Sequence, residues 1–204
     1  MVRVKICGVT NLADARAAVE AGVDALGFNF DLASPRRITP TAALDIIAYL
    51  PPFVTSVGVF MTVSGSAIRA IRDYCRLGAV QLHGGAPAVL VRTLRKGPVI
   101  RVIRVRDRRD LAGVDSPRVA ALLFDAFDPV RAGGTGKPFD WALLHRARPR
   151  TPFLLAGGLN PGNVARAIRL IRPYGVDVSS GVERAPGRKD HARMRRFVAA
   201  AKSA

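Results

Sequence analysis

The sequence predicts a (β/α)8 barrel, the TIM-barrel architecture of the α/β class, and three observations support it. Eight short apolar segments suited to strands recur along the 204 residues, and helical patterns separate them. No break in composition marks a second domain, so residues 1–204 are expected to form a single barrel domain. No Gly-x-Gly-x-x-Gly loop follows the first strand, which disfavours the doubly wound alternative.

The strands are predicted from short apolar or alternating runs that polar residues, glycine and proline separate. In chain order they are Val2–Cys7, Ala25–Phe30, Val54–Phe60, Ala79–Leu82, Val99–Val105, Val119–Phe124, Phe153–Ala156 and Val176–Val178. Because a helical segment follows each strand, the strand count is that of a (β/α)8 barrel.

Helices are predicted where apolar residues recur at spacings of three and four. Thr39 and Pro40 mark one helix start, because a hydroxyl caps the first turn and proline fits its first position. The helix between strands seven and eight has an apolar stripe at Val164, Ala167, Ile168 and Ile171. Other helical patterns cover Leu12–Val19, Ala67–Cys75, about Pro87–Arg95 and about Asp190–Ala201.

The charge balance is strongly basic, since 32 Lys and Arg against 15 Asp and Glu leave a net charge of +17. Such an excess favours a nucleic-acid interpretation. However, the basic residues are spread over the whole chain, and no tail carries five like charges in a row. Aromatic residues make up only 6% and are not interleaved to stack bases. We therefore expect solvated arginine-rich helix faces and no nucleic-acid partner.

The sequence carries no pattern for membranes, disulfides or metals. No run of 18 apolar residues occurs, and Lys5 and Cys7 interrupt the first apolar stretch, which disfavours a membrane span or signal peptide. Cys7 and Cys75 are too few and too far apart for a disulfide framework. The three histidines are scattered and no cysteine pair has ligand spacing, so no metal site is expected. We expect a cytoplasmic protein without membrane contact.

Reactive residues of such a barrel lie at the carboxyl ends of strands and in the loops that follow. Cys7 ends the first strand close to Lys5, and its thiolate could act as a base if nearby positive charge lowers the pKa. The alternative is a small buried hydrophobe, which is the interpretation favoured for Cys75. Asp125 ends an apolar strand, so its carboxyl should be partly desolvated and able to carry a proton. Its alternative is a structural hydrogen bond to a loop.

Two loops of small residues predict a phosphate site. Gly157 and Gly158 follow the seventh strand, and Ser180 and Gly181 follow the eighth. Small residues let backbone N–H groups approach an anion, and a helix N-terminus beyond the loop adds partial positive charge. The alternative is that these residues only turn the chain. Phosphate capture after strands seven and eight is a recurring use of this fold, which favours the binding interpretation.

Two further side chains are candidates for substrate binding at the rim of the barrel. Arg36 follows the second strand and could clamp a carboxylate with its planar fork of donors. His83 follows the fourth strand, where it either faces the mouth of the barrel or is a satisfied core histidine.

Six groups of motifs, in order along nearly the whole chain, resemble those of one family. They are Lys5–Asn11; Leu26–Phe30 with Ser34–Arg36; Val80–Gly84; Gly133–Lys137 with Phe139–Trp141; Ala156–Pro161; and Asp177–Glu183 with Pro186–Gly187. Each is moderately specific alone and very specific in combination. On these motifs the chain resembles the phosphoribosylanthranilate isomerases of tryptophan biosynthesis.

The resemblance implies an Amadori rearrangement of N-(5-phosphoribosyl)anthranilate to 1-(2-carboxyphenylamino)-1-deoxyribulose 5-phosphate by general acid–base catalysis. It implies that Cys7 is the general base and Asp125 the general acid. No cofactor is expected, because the nitrogen of the substrate is itself the electron sink.

The implied substrate is an anion at both ends. Its carboxylate would meet Arg36, and Asp177 and His83 would be secondary contacts to the ribose or the anthranilate. The Gly133–Lys137 loop would fold over the site and exclude water. The phosphate would lie on the backbone around Gly157, Gly158, Ser180 and Gly181.

Other functions remain open at this point. One is another phosphate-binding barrel, including a dual-substrate isomerase that also acts on an aminoimidazole carboxamide ribotide, but those relatives have aspartate in place of Cys7. The other is a non-catalytic barrel that binds a phosphorylated ligand or nucleic acid. The net charge of +17 favours this alternative, but the presence of Cys7, Arg36 and Asp125 together argues against it. We expect a small phosphorylated substrate and a monomer or homodimer.

Overall fold

The strands of the barrel follow the predicted order. The computed structural model describes residues 1–84, 88–94, 96–115, 119–126, 141, 144 and 149–204. The strands are β1 (Arg3–Cys7), β2 (Ala25–Asn29), β3 (Thr55–Phe60), β4 (Ala79–Leu82), β5 (Val99–Val105), β6 (Ala121–Ala126), β7 (Phe153–Leu155) and β8 (Gly175–Val178). Each pairs in parallel with the next, and β8 pairs with β1 to close the sheet. The predicted (β/α)8 barrel is confirmed.

The helices lie between the strands as the apolar stripes predict. They are α1 (Leu12–Glu20), α2 (Pro40–Ile47), α3 (Gly65–Cys75), α4 (Ala88–Thr93), α5 (Val164–Ile171) and α6 (His191–Lys202). Between β5 and β6 the described residues form only a 3₁₀ helix, Arg108–Leu111. In the described part of the chain, no helix is both long enough and apolar enough to cross a membrane.

A short segment after β8 has no counterpart among the predicted elements. A 3₁₀ helix at Ser180–Val182 leads into an antiparallel hairpin of β9 (Glu183–Ala185) and β10 (Arg188–Lys189). Strands of two and three residues are too short to give a periodic signal, so sequence patterns do not reveal them. The hairpin lies between the barrel rim and α6.

Polar caps define where the helices begin. The Thr39 hydroxyl accepts a hydrogen bond from the Ala42 N–H at 3.3 Å, and α2 begins at Pro40 as predicted. The Ser64 hydroxyl likewise accepts from the Ala67 N–H at 3.3 Å, ahead of α3. Each cap satisfies a backbone donor that the first helical turn leaves unpaired.

Strand β6 extends further than its apolar run suggests. The prediction ended the strand at Phe124, whereas the ladder with β5 continues through Arg104–Asp125 to Val105–Ala126. Asp125 therefore lies inside β6, one residue before its end. The regular pairing holds its backbone, which makes the carboxyl a rigidly mounted group at the rim.

Side chains that alternate between the two faces of the sheet form two separate hydrophobic cores. Successive residues of a strand face opposite sides of the sheet. In β1, Val4 and Ile6 belong to the large core that packs the sheet against the helices, whereas Lys5 and Cys7 face the interior. The smaller core inside the barrel consists of Val57, Ala79, Ile100, Val102, Ala121, Leu123, Leu154 and Ala156.

Leu26→Ala should lower the free energy of unfolding by about 2–5 kcal/mol, because it opens a cavity in the core between sheet and helices. Leu26 is 0% exposed, whereas Leu32, six residues along, is 82% exposed. The matched control Leu32→Ala should change stability by less than about 0.5 kcal/mol. Urea denaturation measures both, and equal effects would contradict the assignment of the core.

Candidate active site

A cavity of about 650 Å³ opens where the strands end at the carboxyl rim of the barrel. It lies above the small interior core, whose upper members Leu123 and Ala156 form part of its lining. The cavity is lined by all nine residues that the sequence analysis proposed for catalysis and substrate binding: Cys7, Arg36, His83, Asp125, Gly157, Gly158, Asp177, Ser180 and Gly181. The barrel thus collects into one space side chains that are up to 174 positions apart in the sequence.

The candidate base and acid enter the cavity from different strands. Cys7 ends β1 and Asp125 lies near the end of β6, so β7 and β8 separate them in the barrel. Asp125 is 8% exposed and faces the interior in the same alternation as Leu123. A small molecule in the cavity can therefore touch a thiol and a carboxyl on two sides.

Three charged side chains, Lys5, Asp177 and Lys189, influence the pKa of the Cys7 thiol. Burial raises the pKa of Cys7, and the Lys5 and Lys189 ammonium groups lower it only in part. Asp177 adds a smaller upward contribution. The expectation that positive charge lowers the thiol pKa is therefore wrong in its net direction, because loss of hydration outweighs both lysines. The thiolate that does form is correspondingly a stronger base.

Lys5 and Asp177 form a buried ion pair across the strands that close the barrel. The Lys5 ammonium donates to the Asp177 carboxylate at 2.8 Å, and the residues are 1% and 8% exposed. Burial works against the charged form of Lys5, but Asp177 and Cys7 together raise its pKa. Asp177, predicted as a contact to the ribose or the anthranilate, thus lines the cavity while it is held by Lys5.

Arg36 is held at the rim by a carboxylate that the sequence analysis did not assign. Its Nε donates to Glu183 Oε1 at 2.9 Å and to Oε2 at 3.0 Å, and its Nη2 donates to Oε2 at 2.7 Å. Glu183 in turn accepts from the Lys189 ammonium at 2.8 Å. Neither Glu183 nor Lys189 gives a periodic signal. Only the position of Glu183 at the end of a family motif could have suggested a role.

His83 lies at the mouth of the barrel and is kept neutral. Burial lowers its pKa to about 4, and the positive charges of Arg104 and Lys5 add to that effect. Its Nδ1 is buried without a hydrogen-bond partner among the described residues, as are Gln81 Oε1 and Ser179 Oγ. All three residues belong to the lining of the cavity.

The two loops of small residues meet at the rim in conformations that require glycine. Gly157 and Gly158 both adopt left-handed backbone with φ of 82° and 69°, which side chains rarely tolerate. Asn163 anchors this loop by donating to the Gly158 carbonyl at 2.9 Å. At Gly181 a Cβ atom would lie 1.9 Å from the Leu159 carbonyl oxygen, so only glycine lets the two loops meet. Successive backbone N–H groups in such a concavity favour an anion.

Two earlier expectations concern other parts of the chain. The Gly133–Lys137 loop, predicted to cover the site, lies outside the described residues. Cys75 is fully buried in α3, as predicted, and its thiol donates to the Pro40 carbonyl at 3.3 Å. Among the described residues no three His, Cys, Asp or Glu side chains gather in a group that could hold a metal ion.

Fold and cavity together define a (β/α)8-barrel protein whose carboxyl rim gathers ionisable side chains and glycine-rich loops around one cavity. A family model described as N-(5'phosphoribosyl)anthranilate (PRA) isomerase matches residues 4–200. An N-(5'-phosphoribosyl)anthranilate isomerase of Geobacter sulfurreducens is 50% identical over 202 residues, which cover 99% of each chain. The chain belongs to the phosphoribosylanthranilate isomerase family, which confirms the resemblance in its motifs.

Solved structures agree with this assignment. Monomers of a dimeric phosphoribosylanthranilate isomerase from Thermotoga maritima superpose with a TM-score of 0.89 at 42% identity over the full length of both chains. A phosphoribosylanthranilate isomerase in complex with reduced 1-(o-carboxyphenylamino)-1-deoxyribulose 5-phosphate gives a TM-score of 0.89 at 44% identity, again with full coverage of both chains.

Alkylation of Cys7 tests the electrostatics around the thiol. In a Cys75→Ala background, Cys7 is the thiol that reacts with iodoacetamide. Because burial raises its pKa above the value of about 8.5 for free cysteine, the reaction rate should reach half its maximum above pH 8.5. Lys5→Met should move the midpoint higher still, because it removes an ammonium that favours the thiolate. Intact-mass spectrometry across pH 6–10 measures both rates. A midpoint below that of free cysteine would contradict the burial argument.

The neutral His83 predicts a pH-dependent stability. In the unfolded chain histidine binds a proton below about pH 6.5, whereas folded His83 does so only near 4. The unfolded state therefore holds more protons between these values, and stability falls as the pH decreases from 6.5 to 4. Urea titrations at successive pH values measure the slope. His83→Gln should reduce that slope, and an unchanged slope would show that His83 does not cause it.

Proposed function

We propose that the rim cavity is the active site in which this chain isomerises N-(5'-phosphoribosyl)anthranilate in tryptophan biosynthesis. The single observation that carries the proposal is that Cys7 and Asp125 line the same cavity as Arg36 and the glycine loops. Because the chain belongs to the phosphoribosylanthranilate isomerase family, this isomerisation is the first reaction to test. The arrangement offers one group for each chemical feature of that substrate.

The two anionic ends of the substrate have separate partners in this proposal. The phosphate binds to backbone N–H groups of the loops around Gly157, Gly158, Ser180 and Gly181. The carboxylate meets the guanidinium of Arg36, whose side chain is 15% exposed at the rim. Charge-assisted hydrogen bonds in a partly dry cavity are short and strong, so the sugar is held between its two ends.

The acid opens the sugar ring. Asp125 in its protonated form donates to the ring oxygen of the furanose. The C1'–O4' bond then breaks while the lone pair of the anilino nitrogen forms the iminium. Asp125 is left as a carboxylate, and its rigid mounting in β6 keeps the proton donor aligned with one oxygen.

The base completes the rearrangement. The Cys7 thiolate removes the proton from C2', the C–H electrons become the C1'=C2' double bond, and the iminium π electrons return to nitrogen. The resulting enolamine tautomerises to the ketone. The raised pKa of the thiol makes the thiolate a minority at neutral pH, so kcat should increase with pH until Cys7 has titrated.

The proposal also covers the location, partners and oligomeric state of the enzyme. We propose that the chain acts in the cytoplasm on a small phosphorylated molecule, without nucleic acid and as a monomer or homodimer. The dimeric relative from Thermotoga maritima makes the homodimer the first state to test by light scattering at micromolar concentration.

Steady-state kinetics tests the assigned roles. Asp125→Asn and Cys7→Ala should each lower kcat by about 10²-fold or more, because each removes a proton-transfer group. Arg36→Ala should mainly raise KM, if its contact is equally strong in ground and transition states. The assay follows the loss of fluorescence of freshly generated phosphoribosylanthranilate.

The second cysteine supplies the control for this experiment. Cys75→Ala removes a thiol that lies in α3, away from the cavity, and should leave kcat and KM unchanged. Wild-type turnover in both Asp125→Asn and Cys7→Ala would refute the mechanism. Absence of turnover by the wild-type chain, together with tight and steeply salt-dependent nucleic-acid binding, would support a binding barrel instead.

A further inference from the structure

A largely buried network of charges lies at the rim, between the loop after β2 and the hairpin of β9 and β10. Glu183 is its centre, because its carboxylate accepts from Arg36 on one side and from Lys189 on the other. The Glu183 and Lys189 side chains are 4% and 0% exposed. The Gly187 backbone N–H also donates to Glu183 Oε1 at 3.3 Å. Two cationic side chains and one backbone N–H therefore donate to the same carboxylate.

The same network reaches the candidate base. The Lys189 ammonium donates to the backbone carbonyl of Cys7 as well as to Glu183. Arg36 lies against the next residue, since a Cβ at Gly8 would stand 2.6 Å from Arg36 Cδ. The φ of +75° at Gly8 also requires glycine there. The backbone that carries the thiol and the side chain that carries the guanidinium are thus packed against each other.

The hydrogen-bond geometry selects which edge of Arg36 faces the cavity. Glu183 occupies Nε and Nη2, which form one edge of the guanidinium fork. Among the described residues no acceptor contacts Nη1. Arg36 lines the cavity, so the remaining edge is the one available to a ligand.

The charge balance of the network also suits an anion. Arg36 and Lys189 contribute two positive charges and Glu183 one negative charge. Burial raises the pKa of Glu183, but the hydrogen bonds and charges of Arg36 and Lys189 outweigh that effect and keep it ionised. Burial lowers the pKa of Lys189, and Arg36 is the cation of the network that lines the cavity, where a substrate carboxylate would meet its positive charge.

We propose that Glu183 is a positioning residue, which holds Arg36 so that one edge of its guanidinium receives the substrate carboxylate. Lys189 supports the same carboxylate of Glu183 and ties it to the backbone of Cys7. The inference rests on the proposed function and deepens it. Without Glu183, two cations would remain buried side by side, and Arg36 would turn towards solvent or towards the ligand in several orientations.

The test compares two ligands that differ only in the carboxylate. Glu183→Gln should raise KM for phosphoribosylanthranilate about tenfold or more, the scale of a lost charge-assisted hydrogen bond, with a smaller change in kcat. By calorimetry it should weaken binding of reduced 1-(o-carboxyphenylamino)-1-deoxyribulose 5-phosphate by a similar factor. Binding of the analogue without the carboxyl group should not change. Equal losses for both ligands would overturn the proposal.

A double-mutant cycle tests whether Glu183 acts through Arg36. In the Arg36→Ala background, Glu183→Gln should have no further effect on KM, because the group it positions is already absent. Additive effects would refute the inference. If Glu183→Gln does not fold, Glu183→Asp keeps the charge but shortens the reach, and it should show the same dependence on the ligand carboxylate to a smaller extent.

Asp24 provides a matched control at the opposite end of the barrel. It also joins an arginine to a lysine, because it accepts from Arg3 Nη1 at 2.7 Å and from the Lys202 ammonium. Asp24→Asn should lower stability but leave KM and both ligand affinities unchanged. If the wild-type chain shows no turnover, the proposed function fails. The comparison of the two ligands then still decides whether Glu183 orients Arg36.

Discussion

Closure of the sheet between β1 and β8 is the constraint on which the rest of the structure depends. Each strand is short, and only a closed ring of parallel pairs satisfies the backbone of all eight without leaving an edge. Closure also brings Lys5 beside Asp177, so that a buried ion pair forms across the closing strands. Because all the strands point the same way, their carboxyl ends share one rim, where the cavity opens.

Burial and charge act against each other around that rim. Exclusion of water from the cavity strengthens hydrogen bonds inside it, but it also penalises every charged group that lines the cavity. The structure balances this cost by pairing: Lys5 pairs with Asp177, and Glu183 with both Arg36 and Lys189. Cys7 has cationic neighbours in Lys5 and Lys189, but burial outweighs their effect and keeps the pKa of the thiol raised. The same chemistry that raises the thiol pKa strengthens the thiolate as a base.

Much of this architecture could be predicted because its signals are local. The stripe in α5, the Thr39 cap and the apolar strands follow from the periodicity and chemistry of adjacent residues. Asp125 could be proposed because it follows an apolar run, although the pairing of β5 with β6 was needed to place it inside the strand. Glu183 and Lys189 could not be assigned, because their roles depend on partners in the loop after β2 and at the end of β1.

The sequence by itself determined the class of fold, the order of its elements and which residues stand at strand ends, since these depend on neighbours along the chain. Only the tertiary structure decided the net direction of the Cys7 pKa, the edge of Arg36 left open and the meeting of two loops at Gly181. Those properties depend on distances and on the exclusion of water between segments far apart in sequence. No local pattern encodes how much water a folded neighbour removes.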